Sequence, residues 1–261
     1  MSLVLSTEGL EVAYRTAGSG PPDLVFLHGW AGSSAYFEET ITALDLDHAR
    51  ATALDLSGHG DSRPNDRDWT LDAIDEMVLA VADAVGADRF VLVGFSMSGK
   101  FAQHLACRVS ERVAGLVLVA ASPAAPMALP PELLDDWYGR AGDAAAIKEL
   151  LGSFLTGAVD QGAVDRFARE AARVPRSALE GTMRVTLETD FAQSLSELDV
   201  PTLVIGGARD ELFTPELLRE AIVARIPGGR LALVDCGHEI PLERPHQLAA
   251  LIEAFLAGLR E

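Results

Sequence analysis

Val91-Leu92-Val93-Gly94-Phe95-Ser96-Met97-Ser98-Gly99-Lys100 decides how this chain is read. An apolar β-type run meets a helical pattern through a cluster of small residues, and two kinds of strand-to-helix turn compete for it. In a nucleophile elbow the serine sits on a sharp, strained turn, and the residues two before and two after it must be small so that strand and helix can approach. Gly94 and Ser98 meet that need around Ser96, although the usual G-x-S-x-G pattern has a glycine where this chain has Ser98. Centring the turn on Ser98 fits worse, because Lys100 would then occupy a crowded position. The same letters nearly spell a phosphate-binding loop of the form G-x-x-x-x-G-K-S/T. That reading fails at Phe101, where a hydroxyl should reach magnesium, and bulky Phe95 and Met97 fill the loop interior.

Outward from this turn, short β-rich runs alternate with longer helical patterns, the mark of βα units and a mostly parallel sheet. Strands are expected over 12–16, 24–27, 50–54, 90–93, 116–119, 202–205 and 231–234, most of them continuous apolar runs. Such runs suit a sheet covered by helices on both faces. Helices are expected over 71–85, 97–107, 215–225 and 245–259, with Thr70 and Asp72 signalling one start and Pro215 and Pro245 suiting first-turn positions. From 124 to 198 the alternation stops, and apolar residues such as Leu133, Trp137, Leu151, Phe154 and Phe167 recur at helical spacing. We therefore expect an α/β core over 1–123 and 199–261, with a helical cap over 124–198 inserted before the next strand and serving as a lid over a site.

The balance of 21 Lys+Arg against 39 Asp+Glu gives a net charge of −18. That field repels polyphosphates and anionic lipid, so the expected partner is a small molecule rather than nucleic acid or a membrane, with a homodimer left open. Cys107 and Cys236 lie in no metal-ligand spacing and are expected to be buried thiols, so no metal or cofactor is anticipated. The opening Met1-Ser2-Leu3-Val4-Leu5-Ser6 lacks a basic segment and a long apolar run, and the most apolar stretch, 113–129, is broken by Pro123 and Pro126. A cytoplasmic chain without a membrane span is the expectation.

Leu24-Val25-Phe26-Leu27 runs directly into His28-Gly29-Trp30, which alone needs no more than a turn requiring glycine. Together with the stretch around Ser96 it resembles the α/β-hydrolase family, in its serine esterase and lactonase-like branch. The resemblance implies that the backbone N–H groups of Trp30 and Met97 form an oxyanion hole. Asp55-Leu56-Ser57-Gly58-His59-Gly60-Asp61-Ser62 is similar to the family's D-x-x-G-x-G-x-S loop, a structural signature, so His59 is not expected to act in catalysis. The strand and loop ending Gly206-Gly207-Ala208-Arg209-Asp210 resemble those that deliver the triad acid, and Cys236-Gly237-His238 followed by Glu243-Arg244-Pro245 those that deliver the base.

The chemistry needs these three types. A serine hydroxyl attacks well only when a base takes its proton, and an imidazole can do so near neutral pH when a carboxylate fixes its tautomer. Ser96, His238 and Asp210 are the expected set, with Glu211 as the local alternative acid. His48, His104 and His246 are set aside as base, and His28 is given at most a role in shaping the oxyanion loop. A serine at the elbow argues against branches whose nucleophile is an aspartate. Hydrolysis of an ester, thioester or lactone of a small hydrophobic acyl group is the expected reaction, ahead of carbon–carbon bond hydrolysis, perhydrolysis or a non-catalytic role. Trp30, Phe95, Met97, Trp137, Phe154 and Phe191 are the expected apolar walls.

Overall fold

The computed structural model describes residues 3–7, 10–64 and 69–259. Strands β1 (Leu3–Thr7), β2 (Leu10–Gly18), β3 (Asp23–Leu27), β4 (Arg50–Leu54), β5 (Phe90–Phe95), β6 (Val113–Val119), β7 (Thr202–Gly207) and β8 (Arg230–Val234) form one sheet in the order β1-β2-β4-β3-β5-β6-β7-β8. β2 runs antiparallel to β1 and β4, and every pairing from β4 to β8 is parallel. The helices are α1 (Glu38–Ala43), α2 (Leu71–Ala84), α3 (Met97–Arg108), α4 (Pro131–Gly139), α5 (Ala144–Phe154), α6 (Gln161–Ala171), α7 (Arg176–Glu188), α8 (Pro215–Ala221), α9 (Ile240–Glu243) and α10 (Pro245–Gly258).

Strand alternation divides the core into two layers. Val25, Leu27, Leu92, Leu116 and Leu118 enter a cluster with residues of α2 and α3 such as Ile74, Val78 and Phe101. Their neighbours Leu24, Phe26, Val91, Val93 and Val117 enter the opposite cluster with Ile252 and Phe255 of α10. Every residue of β5 is buried, which is why its sequence reads as an unbroken apolar run. β8 is at the edge, and Leu233 on it remains 43% exposed.

Local chemistry sets the helix starts. Thr70 Oγ1 accepts the Ala73 N–H at 3.1 Å and opens α2, and Thr214 Oγ1 accepts that of Leu217 at 3.2 Å just before Pro215 opens α8. α8 ends at Ala221, short of the expected 225, because Ile222 leaves helical geometry and only a 3-10 turn follows. Between β6 and β7 the chain is helical, with α4 to α7 and no strand among the described residues. Asp143 and Asp160 cap α5 and α6 through pairs of backbone N–H groups. No helix among the described residues is long and apolar enough to cross a membrane.

Candidate active site

Ser96 stands between β5 and α3 at φ 53° and ψ −118°, a left-handed geometry unusual for a side-chain-bearing residue. Three backbone hydrogen bonds hold it there. The Ser96 N–H donates to Val119 O, and Ser96 O accepts from the N–H groups of Gly99 and Ser122, each at 2.9 Å. The space requirement differs from expectation in one place. A Cβ on Gly94 would lie 2.5 Å from Ser98 O, so glycine is needed there. On the helix side the tight residue is Gly99, whose Cβ would meet that of Ala121 at 2.3 Å, whereas the Ser98 side chain fits and donates its hydroxyl to His28 O. Ser98 thereby ties α3 to the loop after β3 and is not free to serve as a nucleophile.

Two loops from the carboxyl ends of neighbouring strands complete the arrangement. After β7, Asp210 Oδ1 accepts the N–H groups of Leu212 at 2.8 Å and Phe213 at 3.0 Å, which orients the carboxylate. Its Oδ2 meets His238 Nδ1 at 2.8 Å, and His238 Nε2 meets Ser96 Oγ at 2.9 Å. Asp210 and His238 are 3% and 5% exposed, so water competes little for these contacts. The rings of Phe95, Phe154 and Phe213 surround the imidazole at centroid distances of 5.4, 5.9 and 5.4 Å. Glu211, the alternative acid, is exposed. The loop after β6 brings no carboxylate but Ser122, which lines the cavity.

The Trp30 loop reaches the serine from the other side, since a Cβ on Gly29 would lie 2.8 Å from the Phe95 ring and 3.3 Å from Ser96 Cβ. Met97 opens α3, where backbone N–H groups lack helical partners. His28 is fully buried and braces this loop: Nδ1–H donates to Gly29 O at 2.8 Å and Nε2 accepts the Leu56 N–H at 3.0 Å. Burial pulls its pKa down to about 4, so it stays neutral. His59 is also buried, 5.0 Å from the His28 ring, with Nδ1 on Ser57 O at 2.9 Å. The glycine-rich turn around it is wound on Asp55, whose oxygens accept Ser34 N–H at 2.5 Å and Asp61 N–H at 2.9 Å.

Between these elements and the helices of 124–198 lies a largely apolar cavity of about 680 Å³ including its open mouth. Trp30, Phe95, Met97, Trp137 and Phe154 line it as expected. Phe191 does not. It follows α7 on the outer side of α3, packs edge-on against His104 at 5.1 Å and borders a separate surface cavity. Cys107 borders that cavity too and is only half-buried, unlike Cys236. Sequence reasoning missed Tyr36, Phe167, Met183, Phe213 and Glu239. Of these, Glu239 directly follows His238 in the sequence.

Lys100 settles the competing reading of the turn. It is fully buried, and its ammonium spends all three protons on the carbonyls of Ala125 at 3.1 Å, Thr186 at 2.8 Å and Thr189 at 2.6 Å. Burial pulls its pKa down to about 8. The lysine points into the junction with 124–198, away from any loop that could cradle phosphate.

A family profile described as alpha/beta hydrolase fold matches residues 22–151. A pimeloyl-acyl-carrier protein methyl ester esterase of Nitrosomonas europaea is 32% identical over 256 residues, 92% of this chain and 98% of the relative. A hydrolase from Pseudomonas aeruginosa is 26% identical with a TM-score of 0.83, covering 98% of both chains. The enol-lactonase from Burkholderia xenovorans superposes over 98% of this chain and 100% of its own with a TM-score of 0.87, a likeness of fold at 22% identity. The loop order, the strained serine and a relative matched along almost its whole length agree: the chain belongs to the α/β-hydrolase family.

Proposed function

We propose that this protein is a cytoplasmic serine hydrolase that cleaves a carboxylic ester, thioester or lactone of a small, largely hydrophobic acyl group. The observation that carries this reading is the continuous chain from Ser96 Oγ through His238 to Asp210, at 2.9 and 2.8 Å. As Ser96 Oγ attacks the carbonyl carbon, His238 Nε2 takes its proton and Asp210 stabilises the resulting imidazolium. The carbonyl oxygen becomes an oxyanion that the Trp30 and Met97 N–H groups receive. Collapse breaks the bond to the leaving alkoxide, which takes the proton from His238, and an acyl-enzyme remains. Water, deprotonated by the same imidazole, then releases the acid and restores Ser96.

The apolar lining supports a hydrophobic acyl group. The name of the Nitrosomonas relative, a methyl ester esterase, supports an ester ahead of a carbon–carbon bond. A fluorophosphonate probe followed by peptide mass spectrometry tests the nucleophile. Label is expected on Ser96, absent in Ser96→Ala and retained at a lower rate in Ser98→Ala, while label on Ser98 would overturn the assignment. An acyl-chain series of p-nitrophenyl esters and lactones then ranks the substrates.

A further inference from the structure

The loop that carries His238 also carries two further acids, and they differ sharply. Glu243 is fully engaged: Oε1 accepts the Gly237 N–H at 2.8 Å, and Oε2 accepts the N–H and hydroxyl of Thr156 at 3.0 and 3.1 Å. It stitches the loop to the chain after α5. Glu239 is only 6% exposed, yet its Oε2 is buried with no hydrogen-bond partner among the described residues. An oxygen held this way has given up hydration without receiving a hydrogen bond in return.

Its position explains what is missing. Glu239 borders both the cavity over Ser96 and a narrower apolar chamber under α4 and α5, and Trp30, Trp137, Phe154 and Phe167 border the same two spaces. Glu239 is therefore common to both linings, together with four aromatic side chains. Among the described residues, the titratable side chains lining the two spaces are Tyr36, His238 and Glu239, with no lysine or arginine, and the charge of Glu243 acts on Glu239. The local field is thus negative, and the chain as a whole carries −18. Aromatic faces and an unpaired carboxylate both attract a positive charge that has lost its water.

We propose that Glu239 anchors a subsite for a cationic nitrogen, so that the preferred esters carry an ammonium group on the acyl chain. This deepens the ester-hydrolase reading and rests on it. The carbonyl is presented to Ser96, and the ammonium group reaches past it to Glu239, with the aromatic walls excluding water. Burial and the charge of Glu243 push the Glu239 carboxyl up to about 8, so a bound cation must first draw off its proton. Affinity for a permanent cation should therefore rise by up to about tenfold per pH unit below 8 and level off above it. Each pH is compared with the Glu239→Gln variant, which keeps every other group lining the two spaces.

Three p-nitrophenyl esters of matched length provide the test: 4-(trimethylammonio)butanoate, its uncharged isostere 5,5-dimethylhexanoate, and the glutarate monoester. At pH 8 the ammonium ester is expected to exceed the uncharged isostere in kcat/KM by about tenfold, with the carboxylate ester slowest. Glu239→Gln is expected to collapse the ammonium-to-neutral ratio and to raise the carboxylate ester relative to the other two. In parallel, butyltrimethylammonium is titrated into the Ser96→Ala protein and followed by tryptophan fluorescence. Its affinity should climb between pH 6.5 and 8 in that background and stay flatter when Glu239→Gln is added. A native enzyme that prefers the uncharged isostere, or a ratio that Glu239→Gln leaves unchanged, overturns the subsite. If none of the esters is turned over, the hydrolase reading fails, and the binding titration decides the subsite alone: pH-dependent, Glu239-dependent binding supports it and its absence overturns it.

Discussion

Asp210 divides its two oxygens between different tasks, and this division makes a sharp experiment. Oδ1 is held by the N–H groups of Leu212 and Phe213, and Oδ2 receives His238 Nδ1. In Asp210→Asn the amide oxygen keeps the two backbone donors, so the NH2 group must face the imidazole. His238 is then driven into the tautomer with its proton on Nε2, facing Ser96 and unable to accept another. We expect kcat to fall by about 10³–10⁴-fold with the circular dichroism spectrum preserved, while Glu211→Gln keeps near-parental kcat. A retained kcat in Asp210→Asn would require another acid. Ser96 was legible from the small residues that its turn requires, and Asp210 and His238 from the resemblance of their segments to those that carry the acid and the base in the α/β-hydrolase family. Phe191 was offered as a wall because it is an aromatic residue of the 124–198 segment, and membership of that segment does not say which side of α3 the chain takes after Thr189. Glu239 escaped notice because nothing local distinguishes an unpaired carboxyl from the engaged one at Glu243.

The turn from β5 into α3 works only because two backbones come unusually close. Ala121, on the loop after β6, would collide with any side chain at position 99, and the contact is with Cβ and backbone atoms that cannot swing aside. Gly99→Ala should therefore destabilise the protein by about 1–3 kcal/mol in urea denaturation and also slow fluorophosphonate labelling, since the strain falls on the segment that aims Ser96. Undiminished stability would mean that the loop after β6 can yield. Most strands were readable because burial on both faces leaves a run such as Phe90–Phe95 almost no polar residue. α1 was not, since its six residues Glu-Glu-Thr-Ile-Thr-Ala follow Phe37 with no side-chain cap and too short a span to show a period. β1 was missed for a related reason: it is an edge strand of five residues, too short to show a period.

Across the whole molecule, two neutral imidazoles set a limit on acid tolerance. Burial lowers His28 to about 4 and, with repulsion between the two rings, lowers His59 to about 3. The unfolded chain would bind protons on both near pH 6.5, before the folded protein does, so stability is lost as pH falls below that value. The raised carboxyl of Glu239 acts in the opposite sense between pH 8 and 4.5, which makes a direct comparison preferable to a single profile. The unfolding free energy of the native protein relative to His59→Asn should fall by on the order of 3 kcal/mol between pH 7 and pH 4, measured by urea denaturation at each pH. A constant difference would show that His59 takes up its proton in the folded state as readily as in the unfolded one. The buried ammonium of Lys100 bears on how such a protein can change over generations. Its three carbonyl partners lie at 125, 186 and 189, at both ends of the helical segment, while the lysine belongs to the helix that begins at the nucleophile. Recombination that imports a foreign segment between β6 and β7 would strand a desolvated cation one turn from Ser96 unless the newcomer supplied carbonyls at the same three points. The segment over the site is thus not freely exchangeable, and new substrate ranges are more accessible by changing single wall residues than by grafting a different set of helices.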